Sequence, residues 1–279
     1  SLQGEQGAVQ SVIDEDSFLP SLGVNWFISD SHQLRLALSQ TVARPDFKEA
    51  ANATFYDNEF NFRVRGNPFL EISDIINADL RWEWYISEVD SLSVALFYKD
   101  MDKPIERVVQ AASGTAGNSR TFQNSDTAEL YGIEADGSFE FAIGDGYNQS
   151  FFVSFNAAWI ESEVSAQNQE DRSLQGQPEY TANLIFGYDN ISAGHQLTVL
   201  LNQNGKSIAD VGVSGQPDVF LEPRLDLNVV YRYEISDALT LRAKLENLID
   251  DEVEYTQGGQ VFQIYNRGPT IQVGLDWQF

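Results

Sequence analysis

The chain of 279 residues carries 17 Lys and Arg against 42 Asp and Glu, a formal charge of −25, and no Cys. That balance excludes a nucleic-acid-binding surface, which needs a cationic excess, and a chain without Cys has neither a disulfide framework nor thiol chemistry. No apolar run of about eighteen residues occurs, so no stretch reads as a membrane-crossing helix; strands that are half polar by construction stay open.

Ser1-Leu2-Gln3-Gly4-Glu5 has neither the basic region nor the apolar stretch of a signal peptide and reads as a processed or truncated start. Segments with the strand period of two then follow in series. Leu22, Val24, Trp26 and Ile28 share one face, and after a tight turn at Ser29-Asp30-Ser31 so do Leu34, Leu36 and Leu38. Beyond a long connection, Ile76, Ala78, Leu80, Trp82, Trp84 and Ile86 alternate with Asn77, Asp79, Arg81, Glu83 and Tyr85, a stretch as long as a tilted membrane strand. Arg81 and Glu83 argue against a dry core on that second face, because buried charge is costly unless paired. Next come Leu92 to Tyr98, Tyr131 to Phe141, Phe151 to Trp159, Tyr180 to Tyr188, Leu197 to Leu201, Leu225 to Tyr233 and Leu239 to Leu245. The chain closes on Ile271, Val273, Leu275, Trp277 and Phe279, with polar residues or Gly between them.

These are about eleven strands. Their connections alternate strictly. Short turns are expected near 29–31, 87–91, 143–149, 190–194 and 235–238, and long polar loops near 43–70, 100–122, 161–177, 203–220 and 247–263. Short turns on one side and long loops on the other is the layout of an outer-membrane barrel, with periplasmic turns, extracellular loops and a periplasmic C-terminus. Trp26, Trp84, Phe139, Phe141, Tyr188, Tyr233, Trp277 and Phe279 fall near the short turns, as one interfacial girdle would, and Tyr98, Tyr131, Trp159 and Tyr180 supply the other; the plainer alternative is that aromatics favour strands. Single-chain barrels have even strand counts, whereas eleven is half of the twenty-two of the plugged transporters. The expected fold is therefore all-β, an antiparallel transmembrane β-barrel, with residues 1–279 forming the C-terminal part of one barrel domain.

No catalytic constellation emerges, and the reading is of a protein that is not an enzyme, with no cofactor and no metal. His32 and His195 are too few for a His-based zinc or acid–base site. Asp14-Glu15-Asp16 and Asp250-Asp251-Glu252 lack the loop spacing of a calcium site and read as solvated acidic faces. The best ligand candidate is the loop of Phe55, Tyr56, Phe60, Phe62, Arg63 and Arg65, where guanidiniums among aromatics suit an anionic or planar ligand; the alternative is a loop folded on its own aromatic cluster. Arg35, Arg81, Glu83, Asp226, Arg232, Arg242, Lys244 and Glu246 form a polar wall toward the lumen.

Several segments resemble the C-terminal β-barrel of TonB-dependent receptors: Leu19-Pro20-Ser21-Leu22, Leu34 through Arg44-Pro45-Asp46-Phe47, Gly66-Asn67-Pro68-Phe69-Leu70 with Asn77-Ala78-Asp79-Leu80, Ala95 to Lys99 running into Pro104-Ile105-Glu106, Ala128 to Glu134 with its Tyr131-Gly132-Ile133-Glu134, and Leu245 to Asp250. They occur in the family's order over nearly the whole chain, although Arg267-Gly268-Pro269 departs from the expected Gly-Arg. The resemblance implies an outer-membrane receptor that binds a scarce extracellular ligand (ferric siderophore, oligosaccharide, vitamin or peptide) and imports it with energy from TonB. It also implies that the plug domain, the TonB box and the first half of the barrel lie outside these residues, that the polar wall contacts the plug, that outer-membrane lipid surrounds the barrel, and that Trp277 and Phe279 are read by the barrel-assembly machinery. Two alternatives stand beside it. A passive porin-like barrel needs an even strand count, and a soluble β-sandwich binding module needs a charge-free buried face and no aromatic ring.

Overall fold

A computed structural model describes residues 16–58, 62–111, 118–144, 148–166 and 171–279. Strands β1 (Ser21–Phe27) and β2 (His32–Ala43) form the first hairpin, followed by one helical turn, α1 (Phe47–Ala50), and the small hairpin β3 (Thr54–Asp57) and β4 (Phe62–Arg65). Then come β5 (Ser73–Tyr85), β6 (Ser91–Asp102), β7 (Ile105–Ala111), β8 (Asn118–Asn124), β9 (Thr127–Ala142) and β10 (Gln149–Ser165). The remainder is β11 (Tyr180–Asn190), β12 (His195–Asn204), β13 (Ser207–Gly212), β14 (Val219–Leu221), β15 (Arg224–Ser236), β16 (Leu239–Glu246), β17 (Val253–Gln257), β18 (Gln260–Tyr265) and β19 (Thr270–Trp277).

Eleven of these strands form one antiparallel sheet in the order β1-β2-β5-β6-β9-β10-β11-β12-β15-β16-β19. They are the eleven segments whose period of two stands out in the sequence, and they meet through short turns at one end. Cross-strand register lines up their apolar residues. Val24, Leu36, Leu80, Leu96, Ile133, Trp159 and Tyr180 are successive neighbours from β1 to β11. Nearer the short turns, Phe141, Phe151, Tyr188, Leu197, Tyr231, Ala243 and Val273 continue the face from β9 to β19. Leu96, Ile133, Trp159, Leu184 and Phe186 on this face are all exposed. A continuous apolar surface of this extent is far beyond what a soluble monomer leaves in water; it matches the lipid-facing side of a membrane sheet.

The opposite face carries a polar row: Gln33, Glu83, Ser93, Asp136, Asn156, Asn183, Asn202 and Asp226. It starts near the short-turn end of β2 and arrives near the long-connection end of β15, so the strands are tilted with respect to the line joining them, as strands of a barrel are. Two phenylalanines on this face lie over glycines of the neighbouring strand. Phe97 is paired with Gly132 and Phe152 with Gly187. A Cβ at Gly187 would stand 2.0 Å from the Phe152 ring, and one at Gly132 2.5 Å from the Phe97 ring. Glycine thus admits the Phe152 ring at position 187, and at position 132 both the Phe97 ring and the Trp159 carbonyl, which a Cβ would meet at 2.3 Å.

The long connections differ from expectation. The central parts of four of the five are strands, and they assemble into a second, eight-stranded sheet in the order β18-β17-β14-β13-β7-β8-β4-β3; the β10–β11 connection contributes no strand to it. Hairpins from separate connections are joined there by two short parallel contacts, Val211 with Val108 and Val64 with Arg120, and by the antiparallel pairing of β14 with β17 over three positions. Val108, Val109, Ile208, Val211 and Val219 are its buried core. A separate apolar cluster of Met101, Ala128, Leu130 and Val164 sits where the long strands leave the main sheet. Asp251, expected on a solvated face, instead accepts the Leu225 N–H at 2.8 Å. Among the described residues no group of acidic or His side chains forms a metal site; Asp14 and Glu15 lie outside them. Strand β1 pairs with β2 alone and β19 with β16 alone, so each has an edge with no partner among the described residues.

Substitution of Gly187 by Val is expected to lower the stability of the detergent-solubilised sheet by about 1–3 kcal/mol through overpacking against Phe152, read as a fall in the temperature of the heat-dependent gel shift. An unchanged transition temperature would show that the Phe152 ring moves aside freely.

Candidate functional site

The second sheet is built around a buried cluster of charges. Arg120 on β8 has no exposed side-chain surface; its Nη2 lies 2.5 Å from Asp210 on β13 and its Nη1 2.9 Å from Asp57 on β3. Arg107 on β7 pairs with the other oxygen of Asp210. Burial pushes the Asp210 carboxyl above its ordinary range, against the pull of the two guanidiniums, and burial also holds Arg120 below its usual value. A second buried carboxylate, Glu106 on β7, accepts both terminal nitrogens of Arg172, at 2.8 and 2.6 Å, from the β10–β11 connection. Gln175 completes the joint. Its Oε1 accepts the Arg107 N–H at 2.6 Å, and its Nε2 donates to the carbonyls of Arg107 and Ala209 at 2.9 and 2.7 Å. One side chain thus supplies ladder bonds between β7 and β13, which pair directly over only two positions.

This layer carries the candidate ligand hairpin. Strand β4 runs parallel to β8, and Asp57 of β3 reaches Arg120. Beneath them Gly66 passes α1 so closely that a Cβ would lie 2.1 Å from the Ala51 carbonyl. Asn67 donates its backbone N–H to Glu49 O at 2.6 Å and its side chain to Phe122 O on β8 at 2.9 Å. The Gly-Asn-Pro of the sequence is thereby explained as a close approach followed by a side-chain strut. In the hairpin Tyr56 is opposite Arg63 and Thr54 opposite Arg65, which puts Tyr56, Arg63 and Arg65 on one face. Tyr56, Arg63 and Arg65 are all exposed. Phe55 is opposite Val64 on the other face, partly buried. Phe60 lies outside the described residues, and Phe62 enters only as the backbone partner of Asp57. Lys103, Arg107, Arg120, Arg172, Lys206 and Arg224 each have a carboxylate within 4.0 Å. Among the described residues, Arg63 and Arg65 have no ion pair, and neither do Arg44, Lys48 and Arg267 on these connections.

The polar-wall residues form two separate groups. Arg35 meets Glu83 at 3.1 Å, Arg81 meets Glu83 at 3.2 Å and Asp136 at 2.7 Å, and the Tyr85 hydroxyl donates to Glu83 at 2.8 Å. Ser93 also bonds Asp136. Sequence reading missed Asp136, Ser93 and Tyr85 as members; their shared face was visible, but only register brings them together. Farther along the wall, Arg232 pairs with Glu234, Lys244 with Glu246 and Arg242 with Asp276, at 2.7–2.8 Å. Asp226 lies 3.0 Å from the Asn228 amide and 4.0 Å from Arg224. The eight residues are thus a wall and not one site. The two histidines are used in the aromatic belt. His32 stacks on Trp82 and Trp84, both at 5.7 Å. His195 stacks on Tyr233 at 4.3 Å, with Nδ1 2.8 Å from the Tyr231 hydroxyl. Trp277 and Phe279 meet edge to face at 6.4 Å, and both are exposed.

Substituting Asn for Asp210 removes the carboxylate shared by Arg107 and Arg120 and leaves Arg120 its pair with Asp57, an expected loss of about 1–3 kcal/mol. Hydrogen exchange is predicted to quicken in β7, β8, β13 and the β3–β4 hairpin and to stay slow in β5, β6 and β9 to β12. Equal protection in both proteins would remove the charge cluster as the joint of this layer.

Comparison with known proteins agrees with this geometry. A curated relative, the iron-regulated outer membrane virulence protein of Vibrio cholerae serotype O1, is 26% identical over 223 residues, which are 77% of this chain and 32% of the relative. The chain therefore spans about a third of that relative's length. Among solved structures, the siderophore receptor PirA of Acinetobacter baumannii superposes with a TM-score of 0.63 at 18% identity, over 94% of this chain and 41% of that one. The copper transporter OprC gives 0.66 at 15% identity, over 93% and 39%. The family described as TonB dependent receptor-like, beta-barrel, matches residues 3–248. An eleven-stranded tilted sheet with one apolar face, long connections gathered at one end, and this match over most of its length make the chain a member of the TonB-dependent receptor β-barrel family.

Proposed function

We propose that the chain supplies half of the barrel wall and the outer layer of a receptor that captures a scarce anionic chelate, a ferric siderophore in the first instance, and imports it with energy transmitted by TonB. The observation that carries the reading is the face of Tyr56, Arg63 and Arg65. In a chain of formal charge −25, two arginines with no ion pair among the described residues stand on a hairpin tied to β8 by Arg120 and Asp57. Guanidiniums left uncompensated in so acidic a protein favour an anion, and a neighbouring ring suits a planar one. The names of the relatives, an iron-regulated outer-membrane protein and a siderophore receptor, point to the same cargo.

In this reading the short turns are periplasmic and the layer of β3, β4, β7, β8, β13, β14, β17 and β18 is extracellular. The polar wall from Arg35 to Glu246 faces a plug contributed by sequence outside these residues, and the open edges of β1 and β19 pair with further barrel strands, since an unpaired strand edge is not tolerated in lipid. Phe279 serves the barrel-assembly machinery. Replacing both Arg63 and Arg65 by Ala in the full-length protein is expected to weaken binding of ferric enterobactin or another anionic ferric chelate by at least tenfold, since hydrogen bonds to charged groups contribute about 1.5–3 kcal/mol each. Fluorescence titration on outer-membrane preparations would read it. Unchanged affinity for every chelate that the parent binds would place the ligand elsewhere.

A further inference from the structure

The five short turns repeat one pattern. At the end of each descending strand stands an Ile, one residue past β1, β5, β9 and β11 and next to last in β15, and Ser or Gly follows: Ile28-Ser29, Ile86-Ser87, Ile143-Gly144, Ile191-Ser192 and Ile235-Ser236. In four of them an acid comes next, Asp30, Glu88, Asp145 and Asp237. The isoleucines of these four are exposed, at 52%, 41%, 39% and 46%. Ile28, Ile86 and Ile143 each donate the backbone N–H that closes the turn, at 2.8–2.9 Å. Ser29 and Ser87 accept the N–H groups that fold the turn beneath. Turn formation explains Ser and Gly, but it gives no reason for an exposed β-branched apolar residue four times over.

The reason lies in the apolar face. Ile28, Ile86 and Ile143 fall in phase with Trp26, Trp84 and Phe141, one outward position farther toward the turn. Ile235 follows Tyr233 in the bulge between Glu234 and Ser236. Ile191 is out of phase with Tyr188 and is not part of the set. On β5 the outward apolar residues run from Ile76 to Ile86, and the next outward position above is Asp74. That run is ~33 Å along the strand, or ~23 Å along the membrane normal at a tilt of ~45°. The apolar band of a membrane barrel is ~25 Å tall. Ending the run at Trp84 would leave it ~5 Å short by the same conversion. On β9 the outward run from Tyr131 down to Ile143 is bounded above by Glu129 in the same manner.

We propose that Ile28, Ile86, Ile143 and Ile235 are the lower limit of the lipid-facing band, seated in the phospholipid leaflet on the side of the short turns, with the following polar step and acid as the waterline. The pattern fixes the depth at which the sheet sits. Apolar side chains draw each turn up to the acyl boundary, and a carboxylate two residues on resists entry beyond it. This rests on the membrane-sheet reading but not on any ligand. Asp145 lies outside the described residues, so the acid step is drawn from Asp30, Glu88 and Asp237, all exposed.

Single nitroxide labels on the full-length protein in phosphatidylethanolamine–phosphatidylglycerol vesicles test it. Labels go on Ile28→Cys, Ile86→Cys, Ile143→Cys and Ile235→Cys, on Asp30→Cys, Glu88→Cys and Asp237→Cys, and on Leu96→Cys in mid-band. Relaxation by oxygen against a water-soluble nickel chelate reports depth. The expected result is that the Ile positions relax with oxygen several-fold more than the acid positions and approach Leu96. Ile and acid positions equally open to the nickel chelate, with Leu96 shielded, would overturn the inference alone. Leu96 open as well would bring down the membrane-sheet reading and the inference with it.

Discussion

No backbone group can be left without a hydrogen-bond partner in hydrocarbon. The rest of this structure follows from that constraint. It requires long, continuous antiparallel pairing, which the sheet from β1 to β19 supplies. Pairing of that kind fixes register, and register converts a period of two into two faces of opposite character. A slip of β9 by one residue against β6 would turn Tyr131 and Ile133 inward and send Glu134 and Asp136 into lipid. The polar row from Gln33 to Asp226 and the apolar rows opposite are thus one consequence of the same pairing, seen from its two sides.

The second sheet solves a different problem. Beyond the membrane the connections are in water, and their strands are short, from Val219–Leu221 at three residues to the seven of β7 and β8. Such strands make few ladder bonds, and hairpins of separate connections meet through only a few register positions. Side chains take over the joining. Arg120 links β8 to β3 and β13 through one guanidinium, Glu106 links β7 to the β10–β11 connection, and Gln175 stands in for missing ladder bonds. The β3–β4 hairpin, which carries Arg63 and Arg65, is attached to this layer through Asp57 and Arg120 and through the parallel contact of β4 with β8.

Legibility in the sequence follows the same division. All eleven long strands could be read because each is half buried in lipid and half wetted, and so alternates. The second sheet could not. Its strands are too short for a period to emerge, and partners such as Val108 and Val211 are far apart along the chain. The Arg35, Arg81 and Glu83 group was readable by type and face, but Asp136 and Ser93 join it only through the register of β5, β6 and β9. Of the candidate hairpin, the Arg pair stood out as guanidiniums among aromatics; that Phe55 lies on the opposite face from Tyr56 needed the β3–β4 pairing. The Gly-Asn-Pro segment was recognisable as a family likeness before its cause, the passage of Gly66 against α1, was visible.

The central claim is that one face of the sheet is in lipid and the other in water. Alkylation of single cysteines by a membrane-impermeant maleimide, in outer-membrane vesicles carrying the full-length protein, tests it along a single strand. On β10 the account predicts labelling at Ser154 and Asn156 and none at Val153, Phe155 and Ala157, a period of two. Uniform labelling along the strand, or none in phase with the alternation, would contradict it.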